Sequence, residues 1–398
     1  FYLIKLIIMA KKIAIAGISL LSCLALSEVT LGQNLDGRVG AASPAVPFLR
    51  ISPDSRAGAM GDAGIATSPD ANAQYWNVGK IVKNENDFGL SLSFIPWLRQ
   101  LQIDDMFVGY LAGYYKFGKE KNQALSASMR YFNLGDIQYT DIHGTPQNVG
   151  SPREMSFDVG YSRSLSEYLS LGVSLRYIYS NIAQGANMQN TIYTPGNAFA
   201  GDLGLYYSKT TEQSEDVKST FSAGAVLSNI GSKISYSGLR LDYIPTNLGI
   251  GAAYTYQMDA YNKVTGTVDL NKLLIPSAVY KNGQWNRPEL SVVNGMMRSF
   301  TQAPEFYGTV VSLGAEYWYM NQFAVRAGYF YEAPGNGARQ YFTCGLGVRY
   351  NAFGLDFSYL VPAVINSGKN PSLVTNPLAN TLRFTLTFNF NQASAQKG

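Results

Sequence analysis

The sequence has little of the chemistry on which most enzymes and metalloproteins depend. Among its 398 residues there is one histidine, His143, and there are two cysteines, Cys23 and Cys344. A lone histidine excludes a metal site built on two histidines, and no G-x-S-x-G turn accompanies it to indicate a serine hydrolase. The acidic clusters at residues 104–105 and 212–216 lack the ligand spacing of a calcium loop. We therefore expect a protein that is not an enzyme and that holds neither a metal nor a cofactor.

Charge and long apolar runs are also scarce. Only 15% of the residues are charged, whereas a soluble domain usually carries about a quarter. After the first thirty or so residues, no segment approaches the ~20 apolar residues that a transmembrane helix needs. Aromatic residues are common at 13%, with 28 tyrosines. This combination favours a transmembrane β-barrel, and the alternative is a soluble all-β protein.

The first residues have the pattern of a secretory signal peptide. Two lysines precede a short apolar run at residues 13–27, and small residues follow it near Gly32, as in a cleaved leader. We assign residues 1–32 to this leader, with translation starting at Met9; lipidation of Cys23 is the alternative. Removing the leader takes away three lysines and one glutamate, so the formal charge falls from +4 to about +2. A nearly neutral chain gives no indication of a nucleic-acid partner.

From Phe88 onward, apolar residues alternate with small or polar ones. In LSLGVSLRYIYS (169–180), Val173 and Leu175 fall on one face of a strand and Ser174 and Arg176 on the other, because successive side chains point to opposite faces. Segments with this pattern centre near Leu92, Gly109, Met129, Val159, Val173, Leu203, Ala225, Ala252, Val268, Leu313, Val325, Leu346, Phe357 and Leu386. We predict an all-β fold, a transmembrane antiparallel barrel of about 14 strands over residues 88–390, followed by a tail at 391–398.

Short and long connections alternate between the predicted strands. The short ones are residues 118–122, 164–168, 257–262, 319–322 and 351–352, with a somewhat longer one at 209–219. The long ones are residues 134–155, 181–198, 230–247, 271–310 and 361–380. Tight periplasmic turns and longer external loops are typical of barrels in the Gram-negative outer membrane. The alternation predicts an even number of strands and both termini in the periplasm.

Charged residues within the strands fall on the face opposite the apolar set. They are Asp158, Asp202, Asp269, Glu316, Asp356, Arg130, Arg176, Arg326 and Arg383. We expect these side chains to pair with one another inside the barrel. The alternative is that they bind the N-terminal segment or line a path through the lumen.

Residues 51–81, ISPDSRAGAMGDAGIATSPDANAQYWNVGKI, resemble neither the strands nor a flexible linker. Gly58, Gly61 and Gly64 are evenly spaced, but Pro53 breaks any preceding strand and the spacing matches no phosphate-binding loop. Small residues at every third position suit close backbone packing. We predict that residues 33–87 form a periplasmic plug segment at the barrel entrance. The residues expected to pack it are Arg56, Gly58, Gly61, Asp62, Gly64, Tyr75, Trp76 and Asn77.

Residues 52–77, from SPDSRAG to QYWN, resemble the opening signature of the PorV/PorQ family of FadL-like outer-membrane barrels in the type IX secretion system. The resemblance implies a protein that binds a large SprA/Sov-like translocon and captures cargo carrying a C-terminal signal domain. It also implies delivery of this cargo to the attachment complex that contains the sortase PorU, with outer-membrane lipid around the barrel. External loops would make these contacts, and their aromatic and arginine residues are the expected anchors. The candidates are Tyr139, Tyr193, Trp285, Arg287, Arg298 and Phe300.

Two other functions are compatible with the sequence. A FadL-like channel for hydrophobic small molecules would need an apolar pocket beside the plug, which Tyr75, Trp76, Phe94 and Trp97 could line. A lipopolysaccharide deacylase, an activity associated with one family member, would have to use His143.

Overall fold

In the computed structural model, fourteen antiparallel strands close into a single barrel. The structure describes residues 40, 42–97, 105–140, 143, 145–182, 187–188, 191–238, 240–281, 284–301, 308–333, 337, 339–363 and 381–391. The strands are β1 (Phe88–Pro96), β2 (Met106–Phe117), β3 (Gln123–Leu134), β4 (Arg153–Ser164), β5 (Leu169–Asn181), β6 (Gly196–Glu212), β7 (Lys218–Gly231), β8 (Asn247–Gln257), β9 (Asn262–Leu273), β10 (Thr309–Tyr319), β11 (Phe323–Glu332), β12 (Gln340–Tyr350), β13 (Phe353–Pro362) and β14 (Leu382–Phe390). Each strand pairs with the next, and β1 pairs with β14 to close the ring. The predicted strand count is confirmed, and every predicted strand centre falls inside one of these strands. The predicted leader, residues 1–32, lies outside the described residues.

The two faces of each strand differ as the alternation predicts. In β5, Ser174 and Arg176 are buried inside the barrel, whereas Val173 and Leu175 are exposed on its outside. Exposed apolar residues recur on the outer face of the other strands; examples are Leu92, Leu111, Leu125, Phe157, Leu203, Ile250, Leu270, Leu346, Leu355 and Leu386. Such an apolar outer surface is typical of a lipid-facing barrel wall.

The connections also alternate as predicted. Residues 118–122, 165–168, 213–217, 258–261, 320–322 and 351–352 join strands at what we call the short-connection end. Residues 97–105, 135–152, 182–195, 232–246, 274–308, 333–339 and 363–381 join them at the long-connection end. The connection predicted at 209–219 is shorter than expected, because β6 continues to Glu212 and pairs there with Lys218. Asn351, with a φ of 52°, takes the left-handed conformation that a two-residue turn requires.

Several elements were not predicted. Small hairpins project from the connections, with strands Ile137–Thr140 and Pro146–Gly150, Asn187–Met188 and Thr191–Ile192, and Val279–Lys281 and Gln284–Asn286. The connection between β9 and β10 contains a helix, Val292–Thr301, which we call the rim helix. Among the described residues, no helix has both the length and the apolar character to span a bilayer.

The buried apolar residues lie inside the barrel, where residues preceding β1 pack against its wall. Toward the long-connection end, Phe48 and Leu49 join Ile95, Phe132 and Ile178 in one cluster. Toward the other end, a second cluster joins Val78, Ile81 and Val82 to Tyr114 and Ala124. The core of this fold is therefore formed between the N-terminal residues and the inner faces of the strands.

Candidate functional site

Residues 42–84, here called the interior segment, run through the lumen from one end of the barrel to the other. At the long-connection end, the Ala45 N–H donates to the carbonyl of Tyr243 over 2.8 Å. At the short-connection end, Lys83 Nζ donates to the carbonyl of Ser166 over 3.0 Å. The predicted position was a single entrance of the barrel. The observed path is longer, because the segment starts beside the long connections and must cross the lumen to reach β1.

Paired glycines on the inner wall make room for this path. Three pairs lie directly opposite each other on neighbouring strands: Gly172 with Gly204, Gly224 with Gly251, and Gly314 with Gly328. A side chain at these positions would meet the interior segment, at Gly79 for the first pair, Ile65 for the second and Met60 for the third. The segment and the wall are thus in close contact at three places. Sequence reasoning identified the small residues of the inner face but missed these pairs, because the pairing depends on strand register.

Gly61 lies at the third of these contacts. Its φ of 68° belongs to the left-handed region, and an added Cβ would lie 2.6 Å from the carbonyl oxygen of Tyr329 and 2.7 Å from that of Leu313. Its N–H donates to Thr343 Oγ1 over 2.8 Å. Both the conformation and the close approach require glycine here. Gly58 and Gly64 also leave no space for a side chain, against Arg383 and Trp76 respectively.

Arg56 is the main polar link between the segment and the wall. Its guanidinium donates to Glu316 through Nε (3.0 Å) and Nη2 (2.8 Å), which is a bidentate ion pair with β10. It also donates to Asp70 Oδ2 over 2.9 Å and to both oxygens of Ser68. Arg56 is 8% exposed and Glu316 is 2% exposed. The planar guanidinium suits this arrangement, because its donors match a carboxylate in a fixed geometry.

The other residues predicted to pack the plug also contact the wall or one another. Asp62 accepts a hydrogen bond from Tyr341 Oη (2.7 Å) and pairs with Arg383 (3.3 Å). Asn77 Nδ2 donates to the carbonyl of Leu205 over 3.0 Å, and its Oδ1 accepts from the Gly79 N–H.

The two neighbouring aromatic residues stabilise the segment in different ways. The Tyr75 ring lies 4.5 Å from the guanidinium of Arg130, within the range of a cation–π contact. Trp76 Nε1 donates to Asp54 Oδ1 over 2.6 Å. The rings of Tyr75 and Trp76 meet edge to face at 4.7 Å.

The inward-facing charged residues combine the two arrangements that the sequence left open. Some pair within the wall: Arg176 binds Asp158 and Asp202, and Arg326 binds Asp356 as well as Glu316. This part of the prediction is confirmed.

Other inward charges bind the interior segment, which was the alternative. Asp269 Oδ2 accepts from the Gly64 N–H (2.7 Å) and the Ile65 N–H (2.8 Å). Arg130 Nη1 donates to the Phe48 carbonyl over 3.1 Å. Both arrangements are therefore present, and mutual pairing is not the whole account, because buried backbone groups of a segment inside the lumen need hydrogen-bond partners.

Lys80 is a buried residue of the segment that sequence reasoning missed. It is 1% exposed, and its Nζ donates to the Gly64 carbonyl (2.5 Å) and to Thr67 Oγ1 (3.1 Å). Asp54 is also buried, and its carboxylate accepts hydrogen bonds from the Ala57 N–H and from Trp76 Nε1. The segment keeps these groups because each is hydrogen-bonded, which offsets part of the cost of desolvation.

A cavity of about 470 Å³ remains between the segment and the wall toward the long-connection end. Its aromatic lining includes Phe48, Tyr75, Trp76, Trp97, Phe132, Phe330 and Tyr341, and arginines 50, 176, 339 and 383 also reach it. Three of the four residues predicted to line a pocket are therefore present. Phe94 is not, because the register of β1 places it with Leu90 and Leu92 on the outer face, where it is 45% exposed.

The residues predicted as partner anchors lie at the long-connection end but differ in their surroundings. Trp285 is half exposed and packs edge to face on Tyr280. Arg287 pairs with Asp242 over 3.0 Å and donates to the Ser43 carbonyl. This contact ties down the start of the interior segment.

Arg298 and Phe300 are both exposed on the rim helix, which the sequence interpretation treated as loop. Tyr193 is partly exposed. Tyr139 belongs to the strand Ile137–Thr140, and its side chain lies outside the described part of the chain. His143 is exposed, and the described residues contain no group of three or more histidine, cysteine or acidic side chains placed to hold a metal.

Comparison with known families and structures matches this architecture. A family model described as "Type IX secretion system protein PorV" matches residues 35–280, which is more than half of the chain. Comparison with curated protein sequences gave no significant match.

Among solved structures, the deltaS2S3 mutant of the monoaromatic hydrocarbon channel TodX aligns with a TM-score of 0.52 at 11% identity. This alignment covers 85% of the present chain and 98% of the other. The deltaS2 mutant of TodX aligns with a TM-score of 0.50 at 11% identity, and the alignment covers 86% of the present chain and 99% of the other. The Ralstonia pickettii toluene transporter TbuX aligns with a TM-score of 0.46 at 13% identity, over 90% and 100%. At these identities the likeness concerns the fold alone.

Proposed function

This chain belongs to the PorV family of type IX secretion system proteins, and from that membership we propose that it carries secreted cargo between the outer-membrane translocon and the surface attachment complex. In this role it binds the SprA/Sov-like translocon, takes over cargo by its C-terminal signal domain and delivers it to the complex containing the sortase PorU. The family match carries the proposal, because it includes the interior segment and extends through β9.

The long-connection end is the proposed binding face. It presents exposed polar and aromatic residues on several connections, and the rim helix gives Arg298 a fixed position at this end. Arginine is enriched among the residues that dominate binding energy at protein interfaces. Within the part of the chain that the structure describes, the strands at the short-connection end are joined by tight turns, and the hairpin of β6 and β7 is the longest of them. Partner recognition is therefore assigned to the long connections.

We further propose that the interior segment seals the lumen. It contacts strands all around the ring, from Lys116 of β2 to Thr385 of β14. A sealed barrel suits a protein that handles its cargo on its outer surfaces rather than through its lumen.

Affinity capture tests the cargo-carrier proposal. The tag belongs at the C-terminus, because β14 ends at Phe390 on the short-connection end, away from the proposed face. From a strain with active type IX secretion, we expect the tagged protein to recover the translocon and cargo with intact signal domains. Replacing Arg298 with glutamate should lower the recovery of either the translocon or the cargo about tenfold or more, as expected for a residue that dominates binding energy.

The matched control is Arg163→Glu, which makes the same charge change at an exposed position of β4 near the short-connection end. It should leave recovery unchanged. Recovery of neither translocon nor cargo with the unmodified protein would reject the cargo-carrier role.

A channel for hydrophobic small molecules is the second candidate, and the aromatic cavity favours it. Tyr75, Trp76 and Trp97 could contact an apolar ligand there. Gene deletion separates the two functions: a carrier predicts lost secretion with normal uptake of a monoaromatic hydrocarbon, and a channel predicts the reverse. We do not propose the lipopolysaccharide deacylase activity, because no observation at His143 favours it.

A further inference from the structure

The rim helix has three distinct faces. Gly295 and Ser299 are buried and form the first face. One exposed flank is apolar, with Val293 66%, Met297 65% and Phe300 50% exposed. The other exposed flank is polar and consists of Asn294, Arg298 and Thr301. Because residues three and four apart share one side of a helix, the apolar residues form one continuous strip.

The buried face holds the helix in a fixed position against neighbouring parts of the long connections. Gly295 lies against Tyr243 and Pro276, where an added Cβ would be 3.0 Å from the tyrosine ring. Tyr243 Oη donates to the Leu290 carbonyl over 2.6 Å and accepts from the Leu290 N–H over 3.1 Å. The residues just before the helix are thus anchored by the same tyrosine. The direction of each flank is therefore set by the fold.

The apolar flank continues the outer surface of the barrel. The Phe300 ring lies 5.9 Å from Lys272 Nζ. Lys272 is two residues beyond Leu270, so both project from the outer face of β9, where Leu270 is exposed. The neighbouring strand β8 presents Ile250 beside Leu270 on this face. The apolar strip therefore begins where the lipid-facing wall ends.

We propose that the rim helix is an interfacial membrane anchor, with its apolar flank in the lipid leaflet at the long-connection end and its polar flank in water. A fixed helix that presents an apolar flank beside a polar one can lie in a membrane interface, with the apolar flank in lipid and the polar flank in water. A lysine at the edge of the apolar wall suits the same depth, because its stem can lie along apolar surface while its charged end reaches water. The occupant of the apolar flank is lipid because the strip is continuous with a lipid-facing wall. Arg298 on the other flank stays accessible to a protein.

Depth-dependent quenching by lipid tests the anchor directly and does not depend on cargo transfer. The full chain is placed in phosphatidylcholine vesicles containing nitroxide-labelled lipid. Both native cysteines, Cys23 and Cys344, are replaced by alanine, and a fluorophore is attached at Met297→Cys or Asn294→Cys. We expect lipid nitroxides to quench position 297 at least twofold more than position 294, and aqueous iodide to show the opposite order. The Cys23→Ala protein, labelled at the exposed Cys344 on the outer face of β12, supplies the in-membrane reference. The protein with both cysteines replaced supplies the labelling background.

Positions 294 and 297 are both exposed, so neither substitution removes a packed side chain. Equal lipid quenching at the two positions would contradict the proposal that the rim helix is a membrane anchor. It would also be overturned if position 297 stays accessible to iodide in vesicles and becomes shielded only when purified translocon is added, since the flank would then bind protein.

Discussion

Replacing Arg56 with alanine is expected to release the interior segment from the wall while the barrel stays closed. The change removes a bidentate pair and leaves Glu316 buried beside Arg326. Breaking a buried ion pair by deleting one partner costs about 3–5 kcal/mol. The strands keep every ladder hydrogen bond, so this cost falls on the docking of the segment. Amide hydrogen exchange in residues 55–67 should accelerate about 10²- to 5 × 10³-fold, which corresponds to that free energy.

Arg163→Ala is the matched control, because it removes an exposed arginine from the same barrel. It should leave exchange in residues 55–67 unchanged. Planar-bilayer conductance gives a second measurement: if the segment seals the lumen, only the Arg56 variant should conduct more than the wild type. Wild-type exchange rates in Arg56→Ala would show that the pair does not hold the segment.

Replacing Gly328 with valine is expected to displace Met60 and Gly61 from the third glycine pair. A Cβ at Gly328 would overlap the backbone of both residues, and backbone cannot move aside as a flexible side chain does. Overpacking of this kind typically costs about 1–3 kcal/mol. The displacement also breaks the hydrogen bond from the Gly61 N–H to Thr343. We expect exchange in residues 57–65 to accelerate about 5- to 150-fold, which corresponds to that cost, while the amides of β11 stay protected.

Gly266→Val makes the same substitution on the outer face of β9, where an added Cβ meets nothing within 4 Å. Its effect on stability should stay within about 0.5 kcal/mol, because valine is favourable in a strand and faces lipid here. A comparable loss of protection in both variants would mean that valine disturbs strands in general. The assigned role of Gly328 would then be wrong.

The strands could be predicted because a membrane barrel separates its residues strictly by face. A single slip in register would turn Arg176 toward lipid and Leu175 into the lumen, so the alternation must persist over whole strands. The short connections were predictable for a related reason. Where two clearly alternating segments are separated by only two residues, as at 351–352, the position of the turn is determined. The end of β6 was misjudged because residues 209–212 are polar on both faces and carry no alternation.

The interior contacts could not be read from the sequence. Gly314 and Gly328 are partners only because of the register between β10 and β11, which no local pattern encodes. The error at Phe94 has a different cause. The alternation in β1 places Phe94 on the outer face with Leu90 and Leu92, and its aromatic character was given more weight than this alternation. The rim helix is short and lies within a polar connection, so its ten residues gave too weak a periodic signal.

The course of the interior segment imposes an order on assembly. The Ser55 N–H donates to Thr385 Oγ1 across 330 residues of chain, and Thr385 lies on the strand that closes the ring. A contact between such distant residues forms late, because the entropy of closing so long a loop must first be offset. The interior segment precedes all the strands in the chain. Until β14 is in place, this segment lacks one side of the wall to which it binds. Closure of the wall and full docking of the segment are thus coupled, and in a chain arrested before its last strand the segment would be only partly held.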